Sequence, residues 1–548
     1  MSEVRPRDYP FGLGCKVRNA IGRPAEAFVA IAFFAAIFQV LGWILGQDVG
    51  WDQGNYHLSS VYAWLHGKPW PDYAVSQQQS WFNPLPGLPA YLIVTGLGAK
   101  AAAIALAVLP VLNAAALWAL VRRFVFPGRS KRAAVLALAC TFVGVTGTIH
   151  LAVVATTMVE AWMPSLVLCA FYAMTAAINQ QRKVQVRNLA LAGLLLGLAV
   201  GLKPTNAPFV VGAVLALAIF RRRVSDGLAP LAAFASGGIL GVMAGGAWWM
   251  IPLWAVYGDP AFPMLSRAGN AWIGVDALSH EGFSRHHVWQ LLVDPFLLAI
   301  GDHSRQLSTV MPVRDARYLI GFYSSLGLVA NRLRLWRAGV DVKDCAPEFL
   351  GTVFLTSYVS WAVIFNVDRY AIPLELLAPA MPALLATRLG WLKTRKAAGY
   401  FLVFLAVVVL ASRPIRTARA HLASDWFNLS IPSGLAAPGT LYVMTGWGDI
   451  AWLTLFEDRL GPGSSYVRVA GNLRIDRDRA LGQRIAGVIQ SHTGPIRSLT
   501  KSDEMGALGA DLAGFGLEPD PGKCLTMTSQ RGEIVSCAVI RHAARGGL

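Results

Sequence analysis

The chain has 548 residues, of which 55% are hydrophobic and only 14% are charged, and its mean hydropathy is +0.47. Soluble domains carry about 25% charged residues, so this composition excludes a water-soluble protein and predicts a polytopic membrane protein. The net charge is +17, but Arg and Lys occur in short clusters between apolar blocks, as in the cytoplasmic loops of membrane proteins. We therefore expect no nucleic-acid partner, because such binding needs a basic face on a soluble domain.

The first apolar block is predicted to be a retained transmembrane helix. Residues 1–24 carry five basic residues before the block 25–46, and no convincing signal-peptide cleavage pattern follows it. We place residues 1–24 in the cytoplasm. The polar, aromatic-rich first loop, 47–84, is then extracytoplasmic.

The apolar run 85–121 is longer than the roughly 20 residues that one crossing needs. Two crossings would put the basic cluster that begins at Arg122 outside, so we predict a short interfacial helix and one crossing at 100–121. Further spans are predicted at 133–152, 161–179, 188–201, 206–220, 228–255, 316–331, 348–366, 371–387 and 399–412. The domain 25–412 thus has about eleven transmembrane helices, and the odd number places the tail, 413–548, outside the cytoplasm.

The tail mixes strand-like runs, such as TLYVMTG and EIVSCAVI, with the helical run ALGQRIAGVIQSH. This predicts a small extracytoplasmic α/β or α+β domain. Cys524 and Cys537 flank a predicted hairpin with Arg531 and Gly532 near its turn. In an oxidising compartment they would form a disulfide; two unrelated free thiols are the alternative.

Charged side chains near membrane depth point to a functional site. Each costs roughly 2.5–3.5 kcal/mol on insertion scales, and those that persist usually face a cavity or a partner. The predicted outer side holds Asp52, His57 and Asp72 in the first loop, Glu160, Lys203 and Arg369 at helix ends, and Arg267, Arg285, His286 and His287 in the outer segment 256–315. Carboxylates and cations on one side suit a reaction that removes a proton and stabilises a leaving anion.

Each of these residues also has a structural explanation. Asp52 can cap a loop helix, and a helix dipole favours Glu160 where it stands. Lys203 can extend to the interface, and Arg369 can anchor a turn through Asp368. Aromatic residues of the first loop can stack on sugars or belong to the interfacial aromatic belt; they are Trp51, Trp64, Trp70, Tyr73 and Trp81.

Several short motifs follow one another along the chain. They are WDQGNYH, FNPLPGLPAYLIV, the acid Glu160, LGLAVGLKPT, YGDPAFP and NVDRYAIP. In this order and on this topology, most of residues 25–390 resembles the GT-C superfamily of integral membrane glycosyltransferases, with an architecture like that of protein mannosyltransferases and aminoarabinose transferases. These enzymes take sugars from polyprenyl-phosphate donors.

The resemblance implies roles for individual residues. Asp52 would be the general base, and Glu160 would support the acceptor or a metal. Lys203 and Arg369 would hold the donor's phosphate. Further substrate-binding positions would be Tyr56, His57, Asp72 and Tyr370. The first loop reads Asp-Gln where relatives have two acids, so no cofactor is certain; a divalent cation, Mg or Mn, on Asp52 and Glu160 is the alternative.

The resemblance implies transfer of a single sugar, by inverting displacement, to an extracytoplasmic glycan, lipid or protein at a bacterial inner membrane. No WWDYG-like signature occurs, which argues against transfer of a whole oligosaccharide to asparagine. A transporter or flippase of lipid-linked sugars is one alternative, although the internal repeats of transporters are not visible. An O-antigen polymerase or ligase is another, although its main outer loop typically lies late in the chain.

Overall fold

The computed structural model describes residues 24–178, 180–224, 227–264, 271–273, 289–302, 304, 312–340, 342, 344–415 and 417–541. The predicted cytoplasmic segment, except for its last residue, and the outer-segment residues Arg267, Arg285, His286 and His287 lie outside this part of the chain.

Helices dominate the first three quarters of the protein. In chain order they are α1 Pro24–Leu45, α2 Ser59–Leu65, α3 Leu88–Gly96, α4 Ala99–Leu106, α5 Val111–Leu120, α6 Lys131–Val145, α7 Thr148–Val153, α8 Pro164–Ala177, α9 Arg182–Leu202, α10 Ala207–Ile219, α11 Ala229–Val242, α12 Trp248–Tyr257, α13 Gln290–Ile300, α14 Ala316–Arg337, α15 Ala346–Ile364, α16 Ile372–Leu377, α17 Ala380–Arg388 and α18 Arg395–Ala411.

A helix or a pair of helices occupies every predicted span. Within the described residues, five helical stretches are long and apolar enough to cross a membrane: Pro24–Leu45, Ala99–Val125, Arg182–Leu202, Ala229–Tyr257 and Asp368–Arg388. The chain is therefore a multi-pass membrane protein. The number of eleven crossings and their orientation stay predictions.

Helices α9 and α11 pack closely against each other. Glycines recur every fourth residue on both helices, so their backbones approach without intervening side chains. A Cβ on Gly193 would overlap the carbonyl oxygen of Phe234, and one on Gly197 would overlap that of Gly238. Because α9 ends at Leu202, this packing also fixes the position of the next residue, Lys203, at the end of the helix pair.

The tail contains a mixed five-stranded sheet. Its strands are β3 Leu441–Met444, β4 Ser465–Arg468, β5 Ile496–Lys501, β6 Leu517–Ser529 and β7 Gly532–Arg541, in the order β4-β3-β5-β7-β6. β3 is parallel to β4 and β5, whereas β7 is antiparallel to β5 and β6. The helices are α19 Glu457–Leu460, α20 Ala480–Ser491 and α21 Leu508–Ala513. Cys524 faces Cys537 across the β6–β7 hairpin, and the two form a disulfide.

The first loop is interlocked with the tail. Strand β1, Gln47–Asp48, pairs with β2, Arg419–Ala420. Leu58 and Val61 of the loop share an apolar core with Trp452 of the tail. The two segments therefore form one layer against the helical domain.

Candidate functional site

Asp52 and Arg369 form an ion pair between segments far apart in the sequence. Asp52 precedes the π-helical turn Gln53–His57 of the first loop, and Arg369 lies in the 3₁₀ turn Asp368–Ala371 between α15 and α16. Nη1 of Arg369 donates to Oδ2 of Asp52, and the two side chains are only 15% and 13% exposed. Asp52 makes no side-chain capping bond to the turn that it precedes. The helix-cap explanation for Asp52 is therefore wrong.

A second ion pair joins Glu160 to Lys203. Glu160 lies in the turn Val159–Ala161 before α8, and Lys203 directly follows α9. Their Nζ and Oε1 atoms are 2.5 Å apart. Lys203 Nζ also lies 5.1 Å from the ring centroid of Tyr370, the neighbour of Arg369. The turn between α9 and α10, which carries Lys203, thus lies next to the turn between α15 and α16, which carries Arg369.

The pKa of Glu160 connects the two ion pairs. Burial by itself raises the pKa of this carboxyl, but the charges of Lys203 and Arg369 outweigh burial and lower it to about 2. Since Arg369 acts on both Asp52 and Glu160, the four side chains form one group, called here the charge cluster. Both of its carboxylates have a cationic partner.

Tyr56 and His57 line the same place. Burial, with the charge of Asp52, holds the pKa of Tyr56 well above its usual range. Burial lowers the pKa of His57, against the opposing charges of Asp52 and Glu160, so the imidazole stays neutral at pH 7. Its Nδ1 lies 2.9 Å from Oγ1 of Thr157. Tyr56 and His57 are therefore neutral hydrogen-bonding groups beside the charge cluster.

Polar atoms of the charge cluster are left without partners within the described residues. Oε2 of Glu160 and Nε of Arg369 are buried and make no hydrogen bond there. A buried polar atom without a partner costs about 1–3 kcal/mol. These atoms can bind a ligand that offers a donor to the carboxylates and an acceptor to the guanidinium.

The fourth first-loop candidate, Asp72, makes its contacts elsewhere. It accepts hydrogen bonds from the hydroxyl of Tyr257, at 2.8 Å, and from Nη2 of Arg484, at 3.0 Å. Asp72 thus ties the first loop to α12 and to α20 of the tail. Trp81 donates to the same Tyr257 hydroxyl, so both residues hold the loop in place.

A divalent cation does not fit the donor set. Asp52 and Glu160 are each held by a basic side chain, which a metal ion would have to displace. No group of three or more His, Cys, Asp or Glu side chains able to hold a metal occurs in the described part of the chain.

Sequence reasoning missed the polar support beneath the first loop. Arg531 at the hairpin turn donates to Gly50 O, to Gln53 Oε1 and to Asp449. Asp48 accepts hydrogen bonds from the amide and hydroxyl of Thr157. The Arg531-Gly532 dipeptide signalled only a turn, and nothing nearby signalled a partner hundreds of residues away.

Two of three comparisons with known proteins found a match. Residues 89–249 match the family described as dolichyl-phosphate-mannose-protein mannosyltransferase. The crystal structure of ArnT from Cupriavidus metallidurans in the apo state is similar at 12% identity and a TM-score of 0.40, over 93% of this chain and 98% of that one. No curated protein matches the chain. The family match includes Glu160 and Lys203, whereas Asp52 and Arg369 lie outside it.

Proposed function

We propose, from the resemblance to the GT-C superfamily of membrane glycosyltransferases and from the family match over residues 89–249, that this protein transfers one sugar from a polyprenyl-phosphate donor. The acceptor is a glycan, lipid or protein on the extracytoplasmic side of a bacterial inner membrane. The observation that carries the proposal is the charge cluster, in which Asp52, Glu160, Lys203 and Arg369 come together from four separate segments. The family match also favours sugar transfer over the transporter and polymerase alternatives.

The cations bind the donor's phosphate in this proposal. A polyprenyl phosphate keeps its phosphate where the acyl chains end, and both Lys203 and Arg369 stand at the ends of apolar helices. The unpartnered Nε of Arg369 can donate to a phosphate oxygen while Nη1 stays on Asp52. Fixed cations at this position stabilise the negative charge that develops on the leaving phosphate.

Asp52 accepts the proton of the acceptor hydroxyl. As the new bond forms between the acceptor oxygen and the anomeric carbon, the bond from that carbon to the phosphate oxygen breaks. Polyprenyl phosphate leaves with the electron pair, and the proton moves to Oδ1 of Asp52. Attack opposite the leaving group inverts the configuration of the sugar. His57, being neutral, can orient a hydroxyl without competing for the phosphate.

The proposal is tested by mass spectrometry of envelope glycans, lipids and glycoproteins from cells with and without the protein. Cells that express Asp52→Asn should lack the same sugar as cells without the protein, because loss of a general base costs typically 10²–10⁴-fold in rate. Asp458→Asn is the control, because it removes an exposed carboxylate on α19 of the tail, and it should leave glycosylation normal. Normal glycosylation with Asp52→Asn would refute the role of Asp52.

A further inference from the structure

The tail has a crevice of about 480 Å³ at the carboxyl ends of its parallel strands. Its walls are the segments that follow β3, β4 and β5, namely residues 446–447, 469–475 and 503–511. Ligands of open sheets bind at this edge of parallel strands, and small-molecule sites have volumes of about 300–1,000 Å³. Size and position are therefore those of a binding site, and its lining includes no residue of the charge cluster.

The lining combines an exposed indole with carboxylates. Trp447 is 54% exposed although it sits within the crevice. Asp503, Glu504 and Asp511 contribute three carboxylates, against the single guanidinium of Arg474. This excess of negative charge disfavours phosphates and other anions. An aromatic face with carboxylate acceptors suits a ligand that has both an apolar C–H face and hydroxyl donors, which is the chemistry of a neutral or amino sugar.

The rim of the crevice is fixed before any ligand arrives. Glu504 accepts hydrogen bonds from the backbone amides of Trp447, at 3.1 Å, and of Gly448, at 3.0 Å. Asp511 accepts one from the amide of Gly446 at 3.0 Å. Gly446 has φ +71°, and a Cβ there would overlap Glu504. A rim held in this way fixes the backbone that carries the indole, which lowers the entropic cost of ordering this segment on binding.

The rim also touches the loop that carries Asp52. The carbonyl oxygen of Trp447 accepts a hydrogen bond of 3.0 Å from the indole of Trp51, the residue before Asp52. Beneath the rim, the buried Arg468 donates to the carbonyl oxygen of Gly446, at 2.9 Å, and to that of Val75, in the first loop, at 3.0 Å. The first loop therefore contacts the rim of the crevice and also carries Asp52 of the charge cluster.

We propose that the crevice binds a carbohydrate of neutral or amino sugars, with Trp447 stacked on a sugar ring and Asp503, Glu504 and Asp511 accepting from its hydroxyl or ammonium groups. We further infer that this carbohydrate is part of the acceptor, which the crevice holds beside Asp52. The second statement rests on the proposed function, whereas the binding itself does not.

The binding is tested with the full-length protein in lipid nanodiscs. Its dissociation constants are measured for mannotriose, for the amino trisaccharide chitosan trimer and for the anionic trigalacturonate. We expect binding of mannotriose or of chitosan trimer. Trp447→Ala should weaken it at least tenfold and Trp447→Phe much less. Trp336→Ala, which changes another highly exposed tryptophan, on α14, is the matched control and should have no effect. Binding of trigalacturonate alone, no binding at all, or equal binding by wild type and Trp447→Ala would overturn the proposal.

The Asp52→Asn protein separates the two proposals. It should bind the trisaccharide like wild type, because the crevice is intact, yet transfer no sugar. If Asp52→Asn transfers sugar normally while Trp447→Ala loses binding, the proposed base is wrong and the crevice stands. If Asp52→Asn is inactive and Trp447→Ala binds normally, the crevice proposal is wrong and the transfer reaction stands.

Discussion

Removal of Arg369 tests the ion pair on which the charge cluster depends. In Arg369→Ala the carboxylate of Asp52 keeps its buried position but loses its cation. Two unit charges about 4 Å apart interact by about 4 kcal/mol at the effective dielectric constant of partly buried sites. Removing one partner of a buried ion pair costs roughly 3–5 kcal/mol. The side chains of Arg369 and Asp52 are only 15% and 13% exposed, so their ion pair is nearly buried. We therefore expect a loss of stability of about 3 kcal/mol.

The double variant Asp52→Asn with Arg369→Ala separates the charge effect from lost packing. Since it has no uncompensated carboxylate, it should be more stable than Arg369→Ala alone. Denaturant unfolding of the purified proteins in detergent, followed by circular dichroism, measures both differences. In transfer assays Arg369→Ala should raise the KM for the donor more than that for the acceptor. A single variant as stable as wild type, or a double variant whose loss is the sum of the two single losses, would refute the reasoning.

Three further predictions concern other parts of the site. Gly197→Ala should lower the Tm by several degrees in a thermal scan, because the new methyl meets the carbonyl of Gly238; Gly399→Ala, where a Cβ meets open space, should not. The pKa of Glu160 is about 2 in the folded protein, below the ordinary value of 4.5. The ionised carboxylate therefore stabilises the fold above pH 4.5, and this contribution disappears as the pH falls towards about 2. Glu160→Gln should weaken the acid dependence of Tm. Treatment with EDTA should leave sugar transfer unchanged, and a loss that Mg or Mn reverses would contradict the metal-free cluster.

The helices were predictable because a crossing needs a long apolar run and basic clusters mark its cytoplasmic end. The run 85–121, for example, is divided in the structure as expected, with α3 preceding the stretch Ala99–Val125. The number of crossings cannot be predicted from apolar runs and basic clusters in the same way. Shorter apolar helices such as α8 and α10 can be buried in protein whether or not they span the lipid.

The candidate site was predictable as a set of residues but not as a set of contacts. The sequence indicates that Asp52, Glu160, Lys203 and Arg369 share a side, since each follows or precedes a span. Which acid pairs with which base depends on packing between segments as much as 317 residues apart. Asp72 illustrates the limit: it has the same residue type and the same loop as Asp52, yet it binds Arg484 of the tail.

The crevice gave almost no signal in the sequence. Its walls are short segments after strands, where no periodicity distinguishes a binding loop from any other connection. The segment TGWGDI directly after β3 was the available indication, because glycines beside a tryptophan at a strand end let the backbone turn sharply and present the ring. Only the parallel pairing of β3 with both β4 and β5 reveals that three such ends converge.

The pairing of the first loop with the tail has a consequence for biogenesis. During translation the segment with Asp52 emerges early, whereas its supports β2 and Arg531 are synthesised hundreds of residues later. The carboxylate of Asp52 therefore reaches its final position only after the ribosome has made nearly the entire polypeptide and the tail has joined the first loop. Unfinished or mis-inserted chains lack the contacts with β2 and Arg531 that support this loop.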